Sequence, residues 1–304
     1  MISNFDYSDT FMAMGTVNSI STELRHRTAV RAARDEVLKL HRNLNVFDEM
    51  SEISEMNRNA GEKMVPVSCD TSKLLRDSQK LETETGGAFK ISTLPASRMW
   101  RKACTEDRMP NSKEMRAARK SIQNEALIID ETGRKAGLKR HGQGIDLGGI
   151  AKGYAADAAV RILQGYGVKE AVLNFGGTVV AHGVTANVGI RNPFDQEKEI
   201  GYICIKDKAV VTSGIYERGG TIRGERYHHV IDPRTCRPSE SELVSVTLVG
   251  NGAKLLDALA TAVLVLGAKE GYGIVRKYGF DAVFVDKNGD VKVTNGLRED
   301  LIMR

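Results

Sequence analysis

The chain has 304 residues, of which 41% are hydrophobic and 27% are charged, as in an ordinary soluble globular protein. This length suffices for one large domain or two smaller ones, with enough core to fold without disulfides. The net charge of +5 can help to attract an anionic ligand. The basic residues are scattered and not interleaved with aromatic residues, which argues against nucleic-acid binding.

The cysteine pattern and the N-terminal sequence bear on the cellular compartment. The cysteines are widely spaced and form no CxxC pair, which indicates free thiols rather than a zinc site; they are Cys69, Cys104, Cys204 and Cys236. The N-terminus has no basic and apolar signal regions and no lipobox-like cysteine, and the apolar stretch 258–267 is too short to span a bilayer. We expect a cytoplasmic protein without a transmembrane segment, exported only if a signal has been removed.

Helical patterns dominate the first part of the chain. Residues 12–23 alternate loosely and predict an opening strand, and 27–44 carry apolar residues at helical spacing. A polar loop is expected over 47–61, followed by a helix over 71–85 that a glycine pair ends. Residues 101–125 are charged with few large apolar groups and predict a helical excursion at the surface.

From about residue 127, short β-branched runs separated by turn residues predict strands. These runs are ALIID, AVLNF, TVVAHGV, YICIKD, AVVTSG, YHHVID, VSVTLV and DAVFVD. Helices are predicted over 150–164 and 254–266, without regular alternation of strands and helices. The pattern indicates an α+β fold with a mixed or antiparallel sheet core and flanking helices. No linker or repeat is evident, so we expect a single domain over 1–304.

The segment GIDLGGIAKGYAADAAV, residues 144–160, places an acid and two glycines before a basic residue and a helix. Glycines let the backbone approach a ligand, and a helix N-terminus with Lys152 attracts an anionic group. The alternative is a tight turn between a strand and a helix. The segment LNFGGTVVAHG, residues 173–183, also has two interpretations: a hairpin, or a close approach of the backbone to a flat cofactor ring. Thr212 and Ser213 offer hydroxyls after an apolar strand.

In the segment YHHVIDP, alternation along a strand puts His229 and Ile231 on one face and His228 and Val230 on the other. Pro233 would end this strand, so the side chains would lie at its end, where sites are often built. A histidine here is either a structural group with satisfied hydrogen bonds or a general base.

In the predicted helix 254–266, Asp257 and Thr261 lie four residues apart on one face that is otherwise apolar. A carboxylate there is costly to bury without a partner. A carboxylate and a hydroxyl are hard oxygen donors that suit Mg²⁺, while a helix cap or a salt bridge is the alternative.

The order of these segments resembles the ApbE family, the FAD:protein FMN transferases. The blocks are FMAMGT, FDEMSEISEMN, TGGAF, DLGGIAKGYAAD, VLNFGG, TSG, HHVIDPRT and DALATAVLVLG, and they cover roughly residues 10–300. The resemblance implies a single domain with FAD in a cleft, and transfer of FMN from FAD to a Thr or Ser hydroxyl of an acceptor protein, releasing AMP. The acceptor would carry that residue in an exposed motif of small residues.

The resemblance also implies a site. Mg²⁺ would be held by the Gly149 carbonyl and the side chains of Asp257 and Thr261, and His229 would deprotonate the acceptor. Thr212 and Ser213 add hydroxyls to a flavin site whose contacts would fall on Met14, Phe47, Ala88, Phe89, Lys90, Asp146, Lys152 and Ile231. Two other activities fit the same residues: an FAD pyrophosphatase that gives FMN and AMP, and a flavin carrier without catalysis.

Three positions depart from the family's pattern. Lys90 replaces a common Asp after GAF, Phe47 replaces a common Tyr, and Cys236 replaces the common Gly of DPRTG. Lys90 either contacts a charged group of FAD or turns to solvent and leaves the contact to the backbone of Ala88 and Phe89. We prefer the second interpretation, because a main-chain contact tolerates any side chain.

Overall fold

A computed structural model describes residues 5–123 and 125–303. The helices in these residues are α1 (Arg27–Leu44), α2 (Glu52–Arg58), α3 (Cys69–Glu84), α4 (Leu94–Thr105), α5 (Ser112–Gln123), α6 (Ala151–Gly165), α7 (Ala253–Leu266) and α8 (Ala268–Lys277). None of these helices combines the length and the apolar run that are needed to cross a bilayer.

The strands in the same residues are β1 (Tyr7–Ala13), β2 (Thr16–Thr22), β3 (Val65–Pro66), β4 (Leu127–Ile129), β5 (Lys135–Leu138), β6 (Ala171–Phe175), β7 (Thr178–His182), β8 (Thr185–Arg191), β9 (Glu199–Lys206), β10 (Ala209–Gly214), β11 (Gly219–Ile222), β12 (Glu225–His228), β13 (Ile231–Asp232), β14 (Arg237–Pro238), β15 (Leu243–Gly250), β16 (Asp281–Asp286), β17 (Val291–Val293) and β18 (Leu301–Met303).

The chain divides into two compact units. The first unit comprises the described parts of Met1–His41 and Glu242–Arg304 together with Ile150–Gly214, and the second comprises Ile215–Ser241 and the described part of Arg42–Gly149. The antiparallel sheet and flanking helices confirm the predicted α+β class. The predicted number of domains stays a prediction.

The first unit is built on an eight-stranded antiparallel sheet in the order β1-β2-β6-β7-β10-β15-β16-β17. Strand β15 is buried along its whole length because α7 packs against it and β10, while α6 and α8 pack on α7. Valines of the large sheet also pack with residues of a three-stranded sheet, β18-β9-β8, such as Ile203 and Ile205. The sheet is thus covered on two sides, which holds α7 in a fixed place.

The predicted opening strand over 12–23 is wrong in one respect: it is a hairpin of two strands, β1 and β2. The chain reverses at Met14 and Gly15, whose φ angles are 54° and 73°. Two consecutive residues with positive φ are typical of a two-residue hairpin turn, and glycine at the second position makes this turn accessible. The alternation continued through the turn, so periodicity alone did not reveal it.

The second unit contains α2–α5 and three small sheets, β3-β5-β4, β11-β12 and β13-β14. The loop predicted over 47–61 contains α2, because the Ser51 hydroxyl accepts a hydrogen bond from the Ser54 amide at 3.0 Å and caps the helix. The predicted excursion over 101–125 is α5 and the end of α4, apart from Asn124, which lies outside the described residues. Both helices bury apolar residues in a cluster around Trp100, so this segment is more than a surface addition.

Candidate active site

Asp257 is the most deeply buried carboxylate among the proposed site residues, with 2% of its side chain exposed. It lies in the second turn of α7, on the helix that the sheet of the first unit holds. Its Oδ2 accepts a hydrogen bond from the Gly153 amide at 3.0 Å, and its Oδ1 lies 3.4 Å from the Lys152 ammonium. The expected partner of a buried carboxylate is therefore present, and it comes from the start of α6.

Thr261 follows Asp257 by one helical turn, and its hydroxyl donates to the Asp257 carbonyl at 3.3 Å. The hydroxyl oxygen keeps lone pairs, and with the carboxylate it forms a pair of hard donors on one helical face. Among the described residues, no group of three or more His, Cys, Asp or Glu side chains could hold a metal ion. A cation at Asp257 would thus depend on hydroxyl and carbonyl oxygens, substrate phosphates and water, a mixture that fits Mg²⁺.

Gly153 fixes this arrangement, and its role was missed from the sequence. A Cβ at Gly153 would lie 2.5 Å from the Ala253 carbonyl carbon and 2.7 Å from Lys254 Cα. The backbones of α6 and α7 therefore meet here, and only glycine allows the amide of residue 153 to reach Asp257.

Asp157, one turn after Gly153, joins the same two helices. Its carboxylate accepts hydrogen bonds from the Ala253 and Lys254 amides at 2.8 and 3.0 Å and so caps the N-terminus of α7. Burial raises the pKa of the Asp157 carboxyl above its usual range, while the two amide hydrogen bonds act in the opposite direction. The four-residue spacing of Gly153 and Asp157 was visible in GYAAD, but the partner helix was not.

Asp146 and Gly149 belong to the second unit, in the turn that precedes α6. Asp146 Oδ1 accepts a hydrogen bond from the Gly148 amide at 2.9 Å, and the Asp146 amide donates to the Ile91 carbonyl at 2.9 Å. The side chain thus shapes its own loop, in the manner of an Asx turn. Gly149 is half-buried.

Two groups of flavin-contact candidates lie in the first unit besides Lys152. Thr212 and Ser213 are half-buried in β10, and the Thr212 hydroxyl lies 2.9 Å from the Thr247 hydroxyl of β15. Met14 is half-buried in the hairpin turn, where its amide donates to His41 Nδ1 at 3.3 Å. The Thr247 partner could not be found from spacing, because it depends on the pairing of β10 with β15.

In the second unit, Phe47 is 61% exposed, and the Arg101 guanidinium lies 5.1 Å from the centre of its ring. Ala88 and Phe89 are buried, and the Phe89 amide donates to the Thr85 hydroxyl at 3.1 Å. One aromatic face is thus available at the surface, while the TGGAF segment is held by its own hydrogen bonds.

The preferred interpretation of Lys90 is wrong on one point, since its side chain does not turn to solvent. Only 12% of it is exposed, and its ammonium forms an ion pair with Glu82 of α3. The charge that departs from the family's pattern is therefore neutralised within the protein. Eight residues separate the two side chains, across a helix end and a double-glycine turn, so the pairing depends on the tertiary path of the chain.

The predicted strand YHHVIDP is interrupted, which corrects the predicted faces. β12 ends at His228 and β13 begins at Ile231, and both Val230 and Ile231 are buried, in place of the expected alternation. Ile231 packs in the cluster around Trp100. This side chain therefore contributes to the core of the second unit.

The two histidines differ in their exposure to solvent. His228 is half-buried, with Nε2 2.9 Å from the Ser239 carbonyl. His229 is exposed, with Nδ1 3.1 Å from the Arg218 carbonyl. A proton on Nδ1 would be donated to that carbonyl.

Cys236, the third departure, is fully buried and adopts a φ of 60°. Its carbonyl accepts a hydrogen bond from Trp100 Nε1 at 2.9 Å. A left-handed conformation favours glycine, which is a physical reason for glycine in the usual DPRTG motif.

The structure thus brings Lys152, Gly153, Asp257 and Thr261 together within the first unit. His229, Phe47 and the residues 88–90 belong to the second unit.

Comparison with known proteins assigns the chain to a family. The family model described as ApbE matches residues 14–284, and the chain belongs to the ApbE family. An FAD:protein FMN transferase of Klebsiella pneumoniae (strain 342) is 31% identical over 276 residues, which cover 90% of this chain and 87% of the relative. One of Treponema pallidum (strain Nichols) is 28% identical over 317 residues, covering 96% and 88%.

Solved structures show the same fold. The ApbE protein of Thermotoga maritima superposes with a TM-score of 0.85 at 28% identity, covering 95% of this chain and 97% of that one. The flavin transferase ApbE of Vibrio cholerae superposes with a TM-score of 0.82 at 23% identity, covering 97% and 99%.

Proposed function

We propose that the chain is an FAD:protein FMN transferase that attaches FMN to a Thr or Ser hydroxyl of an acceptor protein. The names of the similar proteins support the reaction. The observation that carries the proposal is the buried Asp257 carboxylate, which a cation already neutralises and which shares a helical face with the Thr261 hydroxyl. A protein that only carries flavin has no need of such a centre.

The reaction exchanges a phosphoanhydride bond of FAD for a phosphoester bond to the acceptor. The acceptor oxygen forms a bond to the FMN phosphorus, the bond from that phosphorus to the bridging oxygen of the pyrophosphate breaks, and AMP leaves. We assign the acceptor's proton to His229, whose exposed ring and contact with the Arg218 carbonyl support a role as general base. His228 is assigned a structural role, because its ring contacts the Ser239 carbonyl.

Asp257 and Thr261 are the side chains proposed to hold Mg²⁺, with the Gly149 carbonyl as the further ligand that the family resemblance implies. When bound, Mg²⁺ would neutralise charge on the pyrophosphate oxygens. Lys152 adds a cation beside the same carboxylate. The flavin contacts proposed for Met14, Phe47, Asp146 and the segment 88–90 rest on the same resemblance.

The test is incubation of the protein with FAD, Mg²⁺ and a peptide that presents a threonine among small residues. Intact mass spectrometry follows the peptide, and chromatography follows AMP and free FMN. We expect AMP and FMN-peptide to form in equal amounts, and neither to form with a matched peptide in which alanine replaces the threonine.

The alternatives give different products. Free FMN and AMP with an unmodified peptide would show an FAD pyrophosphatase. Bound, intact FAD without AMP would show a carrier and would refute the proposal. An FAD titration without Mg²⁺ separates a failure of binding from a failure of chemistry.

A further inference from the structure

The Lys152 ammonium lies where a metal ion would have to approach Asp257. Its Nζ is 3.4 Å from Asp257 Oδ1, while Asp257 Oδ2 accepts a hydrogen bond from the Gly153 amide at 3.0 Å. The amide belongs to a backbone that packs directly on α7, so Oδ2 cannot easily be released. A cation that binds this carboxylate would therefore use Oδ1, the oxygen that faces Lys152.

Asp257 and Lys152 differ in how firmly each is held. The Asp257 side chain is 2% exposed, and a carboxylate so deeply buried requires a positive partner. The Lys152 side chain is 23% exposed, and its long stem can move the ammonium while the helix stays in place. The carboxylate is thus fixed and its partner is exchangeable.

A Mg²⁺ ion bound to Oδ1 would repel an ammonium next to the same oxygen, because both are cations in a poorly hydrated place. We propose that Lys152 neutralises Asp257 in the metal-free protein and that Mg²⁺ displaces it from the carboxylate. The displaced ammonium then neutralises an anionic group of the bound substrate. This inference rests on the Mg²⁺ site of the proposed function and adds the order of events: the lysine is released only when the metal arrives.

The exchange makes metal binding weaker than Asp257 alone would allow, because the metal must break an existing ion pair. It also couples the binding of Mg²⁺ to the binding of the anionic substrate, since a lysine freed by Mg²⁺ is available to an anion. The Thr261 hydroxyl, which donates to a helix carbonyl at 3.3 Å, needs only to rotate to offer a lone pair to the incoming ion.

The experiment measures Mg²⁺ binding by titration calorimetry on the full chain without FAD. Lys152→Met keeps the length of the side chain and removes the competing charge, so we expect it to bind Mg²⁺ at least about tenfold more tightly than the wild type. Lys152→Gln should act in the same direction, and it serves if the Met variant folds poorly. Lys152→Arg should bind as the wild type does, since the competing charge remains.

The matched control is Lys169→Met, which removes one exposed positive charge from the same unit and away from the carboxylate. It should leave the affinity for Mg²⁺ unchanged, which separates local competition from the effect of net charge. A second measurement follows Tm: without metal the Lys152→Met variant should melt below the wild type, and Mg²⁺ should raise its Tm more than it raises that of the wild type.

The outcomes distinguish this inference from the proposed function. Equal or weaker Mg²⁺ binding by both Lys152→Met and Lys152→Gln, in folded protein, would overturn the exchange while leaving the metal site intact. If no variant binds Mg²⁺ in a way that Asp257→Asn abolishes, the metal assignment itself is wrong and the exchange is wrong with it.

Discussion

Replacing Gly153 by alanine tests whether the contact between α6 and α7 positions the Asp257 carboxylate. The new Cβ would lie 2.5 Å from the Ala253 carbonyl carbon, 2.7 Å from Lys254 Cα and closer still to the Ala253 carbonyl oxygen. All three are backbone atoms of α7, so no side chain can rotate away. The helices must separate, and the Gly153 amide must move away from Asp257.

The magnitude follows from two opposing effects. Overpacking of a tight contact costs about 1–3 kcal/mol, and alanine gains about 0.8–1.0 kcal/mol over glycine in a helix interior. We expect the free energy of unfolding to fall by up to roughly 2 kcal/mol, a decrease of up to roughly 4 °C in Tm. The loss of Mg²⁺ affinity should exceed what this stability change explains, because the carboxylate also loses its backbone hydrogen bond.

Gly165→Ala is the matched control. Gly165 lies in the same helix, and a Cβ there would meet no atom within 4 Å. Urea unfolding and Mg²⁺ calorimetry of both variants are the assays, and Gly165→Ala should match the wild type in Mg²⁺ affinity and equal or exceed it in stability. Equal stability and equal Mg²⁺ affinity of the two variants would refute the positioning role of Gly153.

Four further predictions concern individual side chains. Asp257→Asn should abolish FMN transfer while the protein stays folded; near-normal transfer in Mg²⁺ buffer would contradict the metal assignment. His229→Ala should slow transfer about 10²–10⁴-fold at nearly unchanged FAD affinity, and a larger loss for His228→Ala would reverse the assigned roles. Lys90→Ala should weaken FAD binding less than about tenfold, since its charge is paired within the protein; a larger loss that shrinks with added salt in FAD titrations would show a direct contact. The raised pKa of Asp157 means that the folded state keeps this proton more readily than the unfolded chain, so stability relative to Asp157→Asn should fall as the pH rises from 3.8 through the folded-state pKa, as measured by urea unfolding; a rise over that range would contradict the sign.

The amino-acid sequence determined the elements whose signals are local. The helical spacing over 27–44 gave α1 with its observed bounds. The helix predicted over 150–164 begins and ends one residue before α6, and the helix predicted over 254–266 begins one residue after α7 does. The β-branched runs located most strands of the large sheet, because strand burial depends on residue type and spacing. For Asp257 the structure shows the salt bridge that the sequence offered as the alternative to a metal role, and a buried carboxylate needs such a partner because desolvating a charge is costly.

The tertiary structure decided which groups meet. The partners of Asp257 lie more than one hundred residues earlier, and only the packing of α6 on α7 brings them within hydrogen-bond distance. The pairing of Lys90 with Glu82 depends on the turn at Gly86 and Gly87. Such contacts have no period in the sequence, because helix packing and chain reversals set them.

In the histidine segment, too, the residue pattern did not reveal contacts that the chain path decides. Alternation treated YHHVIDP as one strand, yet the chain leaves β12 after His228 and re-enters a strand at Ile231. The His229 ring then contacts the Arg218 carbonyl, which lies earlier in the chain, and the His228 ring contacts the Ser239 carbonyl, which lies later. The residue types indicated that a histidine could act as a general base here. Which of the two rings faces solvent depends on where the neighbouring strands end, and the local alternation of residues carries no information on the carbonyl groups that the rings contact.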